Sequence, residues 1–180
     1  MWTRLVALLC LLAACSSPPP SPSPPPAAPS EAALGTDMAW AQLTVALNER
    51  ALKTFSLVRE RAADAGLVSL VDKLTAGHLD ENSRLHEVLR RIGAPQENPH
   101  SSHDMPGMAT AEEIASMSAA RGQAFDKLFL ESLRKHLTQC RSLARSMLQA
   151  GKLPDALALA TAIAAAREQA LSRLAGQGVP

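Results

Sequence analysis

The chain has 180 residues, with 18 Lys and Arg against 17 Asp and Glu, a formal net charge of +1, 3 cysteines and no tyrosine. Near-neutral charge argues against nucleic acid as a ligand and against a polybasic membrane patch. Little β-branched content and abundant Ala, Leu, Arg and Glu point to an all-α fold.

Residues 1–14 read as a lipoprotein signal peptide. Arg4 supplies the positive charge, and "LVALLCLLAA" is an apolar run too short to anchor stably across a bilayer. The run ends in "LAAC", and small residues before Cys15 suit a lipoprotein signal peptidase. Lipidation of Cys15 and acylation of the new N-terminus would place two or three acyl chains on one residue. That suffices for stable anchoring at the extracytoplasmic face of a bacterial membrane. An ordinary secretory signal with a chance cysteine is the alternative. Loss of Arg4 with the signal would bring the 18 Lys and Arg level with the 17 Asp and Glu.

Residues 15–35 read as a linker. "SSPPPSPSPPPAAPSE" buries no core, and in polyproline II it reaches about 50 Å, enough to lift a domain off a membrane. Residues 36–180 have the length of one domain. Cys10 leaves with the signal and Cys15 carries lipid, so Cys140 has no partner for an intramolecular disulfide.

Four amphipathic segments follow at helical spacing. The first opens at Thr36 or Asp37 as N-cap, carries Trp40, Leu43, Leu47, Ala51, Phe55, Val58 and Ala62, and is broken by Gly66. The second carries Leu67, Leu70, Val71, Leu74, His78, Leu85, Leu89 and Ile92, and stops at "GAP". The third begins near Gly122, carries Phe125, Phe129, Leu133, His136, Cys140, Leu143 and Met147, and ends at Gly151. The fourth starts around Pro154, a favourable first-turn residue, and carries Leu157, Ala160, Ile163, Arg167, Leu171 and Leu174.

The halves match each other. Sliding Asp37 onto Asp126 brings Trp40 onto Phe129, Leu70 onto Leu159, Leu74 onto Ile163, and the "SRL" at Ser83 onto the "SRL" at Ser172. Two helical hairpins, about 36–92 and 122–176, joined by a long crossover at 93–121, make a four-helix bundle. Thr110 and Glu113 have capping-box spacing, which predicts a short helix within the crossover.

"MPGM" followed by "AEEIASMSAARGQAFDKLFLESLRKH", together with "DMAWAQ" at residues 37–42, resembles the domain-of-unknown-function 305 family of bacterial secreted proteins. "RAADAGLVSLVDKLTAGHLDEN" also resembles the sister domain-of-unknown-function 4142 family. The resemblance implies a ferritin-like four-helix bundle, with copper handling suggested for some members. Such relatives carry paired histidines in the first helix of each hairpin. Here Leu47 and Asn48 stand at the first pair, and His136 with Leu137 at the second.

Three groups of residues could carry chemistry. Residues 100–108 read "HSSHDMPGM", so His100, His103, Met105 and Met108 offer two imidazoles and two thioethers, a set that suits copper. The same methionines equally suit packing of the crossover onto the bundle. His136 and Cys140 lie one turn apart and could bind Cu(I) or Zn(II), or form a satisfied core histidine beside a small thiol. His78, Glu81, Asn82 and Arg167 suggest a mid-bundle polar layer with a Glu81–Arg167 pair, which fixes helix register without any ligand.

No Glu-x-x-His occurs, and Arg167 places a cation where a di-iron bundle would have a ligand, so ferritin-like oxidase chemistry is not expected. There is also no nucleophile triad, phosphate loop or zinc-type cysteine pair. The sequence therefore points to a non-enzymatic, lipid-anchored, extracytoplasmic bundle with copper as its possible ligand. The alternative is a cell-envelope interaction or structural module with vestigial metal residues.

Overall fold

The structure is a computed structural model, in which residues 31–176 are described. It contains α1 (Glu31–Phe55), α2 (Val58–Arg61), α3 (Ala65–Arg91), α4 (Ala111–Ala119), α5 (Gln123–Ala150) and α6 (Pro154–Gly176). Among the described residues there is no strand. The long helices form a ferritin-like four-helix bundle. α1 and α3 make one hairpin and α5 and α6 the other, with α1 packed on α5 and α3 on α6. α3 and α5 therefore face each other across one diagonal, and α1 and α6 across the other. The segment read as a signal peptide, Cys15 and most of the Pro/Ser stretch lie outside the described residues.

Helix ends follow local chemistry. Asp64 caps α3 by accepting from the amides of Gly66 (2.6 Å) and Leu67 (3.3 Å). The expected break at Gly66 is thus displaced: the chain turns at Ser56–Leu57 and again at 62–64, and Gly66 sits in the first turn of α3. The Thr110–Glu113 capping box forms in both directions and starts α4. α5 opens after Gly122 and stops at Gly151, and α6 opens at Pro154, all as the sequence indicates.

The expected N-cap at Thr36 or Asp37 is not observed. α1 starts earlier, at Glu31, within the segment read as linker, and Asp37 is a buried residue inside the helix. Its carboxylate accepts instead from the amides of Lys152 (3.0 Å) and Leu153 (2.9 Å), in the turn before α6. Asp126 does the same at the other end of the bundle, accepting from the amide of Ala63 at 3.2 Å. The register that slides Asp37 onto Asp126 also slides Ala63 onto Lys152. Each hairpin thus contributes one buried aspartate that ties down the turn of the other hairpin.

Two apolar cores fill the ends. One gathers Phe55, Leu67, Phe125, Phe129, Leu133 and Leu174; the other gathers Trp40, Leu85, Met147, Leu159 and Ile163. α1 is buried on more than one face, from Trp40 to Asn48 with only Leu43 half-exposed. The crossover explains this. It lies along α1, with Asn98 donating to the Gln42 carbonyl (2.8 Å) and Arg50 donating to both Asp104 and the Ala109 carbonyl (2.8 Å each). A single core-facing stripe was therefore too narrow a description of α1.

Candidate functional site

Between the two cores lies a layer of buried polar side chains. Asn48, His78, Glu81, His136 and Arg167 are all buried, and Cys140 joins them. Arg167 is 1 % exposed and donates to Glu81 through both terminal nitrogens, at 2.9 and 2.5 Å. Asn48 donates to Glu81 (3.1 Å) and to Asn82 (3.0 Å), and accepts weakly from Arg167 (3.4 Å). The Glu81–Arg167 pair expected from the sequence is thus formed, with Asn48 closing the network.

The second half of the layer is less satisfied. His78 Nε2 and His136 Nε2 meet at 2.8 Å across the α3–α5 diagonal. The Phe55 ring stands edge-on to both imidazoles, with centroids 5.1 and 6.2 Å away. His78 Nδ1 lies 2.7 Å from the Leu74 carbonyl, which can only accept, so that nitrogen carries the proton of a neutral ring. His78 Nε2 is then a bare lone pair. His136 also has a backbone hydrogen bond to Gly107. As a neutral ring His136 has one N–H for two acceptors, the Gly107 backbone and His78 Nε2. The pair is one proton short of satisfying every contact.

A third proton is resisted by the surroundings. Burial first, and then the Arg167 guanidinium, push His136 down to about 3 and hold His78 well below the ordinary imidazole range. Cys140 Sγ lies 3.6 Å from His136 Nε2. Burial pushes its thiol up to about 11, and the adjacent Arg167 guanidinium opposes that rise.

The crossover covers this side of the layer. Gly107 has φ +85°, and a Cβ there would lie 2.4 Å from Gln139 Cβ. Only glycine lets the "MPGM" turn press this closely on α5. That pressure brings the Gly107 backbone to His136, and Met108 into a cluster with Ala46, Leu47 and Cys140, with Met105 packed beside it.

The residues of the 100–108 stretch are therefore divided. Met108 is buried and Met105 half-buried, whereas His103 is exposed and His100 half-exposed. The thioethers turn inward and the imidazoles lie nearer the surface. The interior set gains a member. His136 and Cys140 were readable as neighbours on one helix face, but the meeting of His78 with His136 was not. The available signal was that both are polar residues on inward stripes at matching depth.

The described domain as a whole also matches a known family. The family model described as "Domain of unknown function (DUF305)" matches residues 37–176. The chain belongs to the DUF305 family. Two solved structures share its fold. One, assigned as a secreted DUF305 protein of Streptomyces coelicolor, has a TM-score of 0.72 at 17% identity, over 79% of this chain and 91% of that one. The other, a DUF305 fragment from Deinococcus radiodurans, has a TM-score of 0.70 at 22% identity, over 84% of this chain and 97% of that one. No curated protein matches the chain.

Where relatives are expected to pair two histidines on one helix, this DUF305 chain has His136 beside Leu137. Its second imidazole comes from α3 instead, through His78.

Proposed function

We propose that this DUF305 chain is a lipid-anchored, extracytoplasmic, non-enzymatic bundle that holds a soft metal ion, copper foremost, at His78, His136 and Cys140 beneath Met108. The observation that carries this reading is the facing pair of Nε2 atoms. The outer nitrogen of His78 is engaged by a backbone carbonyl, and His136 is likewise held by the Gly107 backbone. Metal-ligating histidines characteristically donate their second N–H to such an acceptor. A cation between the nitrogens supplies what the missing proton does not.

The donor set fits a soft ion. Imidazole, thiol and thioether together favour copper over hard cations. Among the described residues no group of three or more His, Cys, Asp or Glu is placed to hold a metal ion as it stands, so the ligands must rearrange. Two metal–nitrogen bonds of ~2.0 Å place their nitrogens about 3.3–4 Å apart, so the 2.8 Å contact must open on binding. Cys140 Sγ lies nearly equidistant from the two His136 ring nitrogens, 3.7 Å from Nδ1 and 3.6 Å from Nε2, so it too must shift to share an ion held on the Nε2 lone pair.

The hydrogen-bond length between the histidines favours a second reading. In that case the layer sets helix register, and the protein is an envelope interaction or structural module. Titration of the full chain carrying Cys10→Ser and Cys15→Ser with Cu(I), against a colorimetric chelator, decides between them. The metal reading predicts about one ion per chain. It predicts loss of binding in Cys140→Ser and in His78→Phe, and little change in His100→Ala/His103→Ala. Equal binding in all variants refutes it.

The anchor has its own test. No described helix is long and apolar enough to cross a membrane. Cys15→Ala is expected to release the protein from membranes or leave it unprocessed. A mature-length mutant that still fractionates with membranes refutes lipidation.

A further inference from the structure

The cover over Cys140 is built unlike the rest of the fold. Cys140 packs with Ala46, Leu47 and Met108 in a small apolar cluster whose buried members belong to neither end core. The roof of that cluster is the stretch 95–108, which contains no helix. Within it Met108 is the one buried residue, Met105 is half-buried, and most of the others are exposed.

The helices at both ends are complete without this stretch. Gly93, at φ +69°, closes α3, and the Ala94 amide donates to the Leu89 carbonyl at 3.0 Å. The reciprocal Thr110–Glu113 box opens α4. The turns inside the stretch are its own: the amides of Ser101, His103 and Met108 donate to the carbonyls of Asn98, His100 and Met105. Lifting it as a unit breaks none of these bonds.

Three groups tie the stretch to the bundle. Asn98 donates to the Gln42 carbonyl, and the Gly107 backbone bonds His136. Arg50 does most. One of its terminal nitrogens donates at 2.8 Å both to Asp104 on the stretch and to the Ala109 carbonyl at its foot. The Arg50 side chain is 15% exposed, so its bonds are better shielded than those of a fully exposed ion pair.

We propose that residues 95–108 form a lid that opens as a unit while the four-helix bundle stays folded, with Arg50 as its latch. Opening uncovers Cys140 and the His136 side of the polar layer, and the inference stands whether or not an ion binds there.

The reason is the uneven distribution of packing. Segments with few buried apolar contacts and solvent-exposed backbone open at a fraction of the free energy of global unfolding. Opening here withdraws Met108 and Met105, whereas each end core is filled by side chains from several long helices. Closed, the layer is shut off from water, with Cys140 1% and His136 3% exposed. The lid is thus the route by which a small solute reaches the layer with both cores intact.

The test uses the full chain carrying Cys10→Ser and Cys15→Ser, in which Cys140 is the one thiol left. The probe is an aromatic disulfide reagent: the Cys140 thiolate attacks it, forms a mixed disulfide and releases a coloured thiolate. The reagent is kept where the rate is proportional to its concentration, so that the rate reports the open population. Cys140 is expected to react at least about 100-fold faster than global unfolding, followed by circular dichroism in urea, permits. Its rate should also depend less steeply on urea, because opening exposes less surface. Arg50→Met keeps the apolar stem and removes the donors, and labelling is expected to accelerate about tenfold. Leu159→Ala, in the end core, lowers global stability without touching the lid, so labelling in water is expected to stay unchanged. If Cys140 were reached by unfolding the bundle, Leu159→Ala would accelerate labelling at least about 30-fold, and that result overturns the inference. An Arg50→Met rate equal to that of the parent chain overturns it as well. If Leu159→Ala does not fold, Ile163→Val, a smaller deletion in the same core, takes its place under the same criterion.

Discussion

Glu81→Gln isolates the electrostatics of the buried layer, because it keeps the shape of the side chain and removes only its charge. The carboxylate accepts three hydrogen bonds, two from Arg167 at 2.9 and 2.5 Å and one from Asn48 at 3.1 Å. Glutamine keeps one acceptor oxygen and turns an NH₂ donor toward a guanidinium that can only donate. Arg167, 1 % exposed, is left as an unpaired cation far from water. Breaking a buried pair from one side costs about 3–5 kcal/mol. A domain of this size has roughly 7–20 kcal/mol in total, so the variant is expected to fold but with a clearly lower denaturant midpoint.

The assay is urea unfolding followed by circular dichroism, with the slope checked for constancy so that the midpoint reports stability. Removal of both partners in Glu81→Met/Arg167→Met exchanges the pair for apolar side chains. The expected stability is within about 1–2 kcal/mol of wild type, because the desolvation cost of two charges disappears with their attraction. A single-variant loss under about 1 kcal/mol would mean that water reaches Arg167. A double variant worse than the single would mean that the pair is a net stabiliser here. Either result refutes the charge reasoning used for the layer.

Three further outcomes follow from the geometry. Phe129, 0% exposed and stacked on Phe125 at 5.6 Å, is expected to cost about 3–5 kcal/mol as Phe129→Ala in the same unfolding assay. Asp37→Ala and Asp126→Ala each leave turn amides unsatisfied. Each should cost about 1–3 kcal/mol, with the double variant additive to within ~0.5 kcal/mol because the sites lie at opposite ends of the bundle. The metal-free domain is expected to lose stability in mild acid. The depressed folded values of His78 and His136 mean that the unfolded chain binds more protons below pH ~6.5, so stability is complete above that pH and falls from there toward about 3, where His136 titrates in the folded state. For His136 the loss by pH 5 is about 2 kcal/mol, with His78 adding in the same direction, and a midpoint that stays flat between pH 7 and 5 would show that neither ring is buried neutral.

Much of this architecture was legible because it rests on local rules. The capping box at Thr110, the glycine stop at Gly151, Pro154 in a first turn and the inward stripes of α3, α5 and α6 each follow from a few neighbouring residues. The Asp37–Asp126 register also survives, since both carboxylates tie down the opposite turn. Their role did not show in the sequence, because an aspartate before an apolar run looks like an N-cap, and its actual partners lie far along the chain at Lys152 and Leu153. The burial of α1 on several faces was hidden for the same reason: its second partner is a loop without periodicity. The loop "HSSHDMPGM" was conspicuous by composition, but composition does not say which side chains turn inward.

The pseudo-symmetry shows where the two halves diverge. The register that superimposes the aspartates places His78 on Arg167, Leu47 on His136, Ala51 on Cys140 and Glu81 on Ala170. At the apolar ends the paired positions stay apolar: Trp40 with Phe129, Leu70 with Leu159, Leu74 with Ile163. In the middle they change chemical type. One diagonal, α3 with α5, carries the facing imidazoles. On the other, α6 contributes the guanidinium and α1 contributes Asn48, both bonded to Glu81. The crossover, which has no counterpart in the other half, lies over α1 and α5 and puts Met108 beside Cys140. Glu81 joins the two diagonals, since it shares α3 with His78 and bonds partners on α1 and α6. The duplicated frame thus repeats itself where packing is apolar and departs from itself where buried polar groups must find partners in the other half.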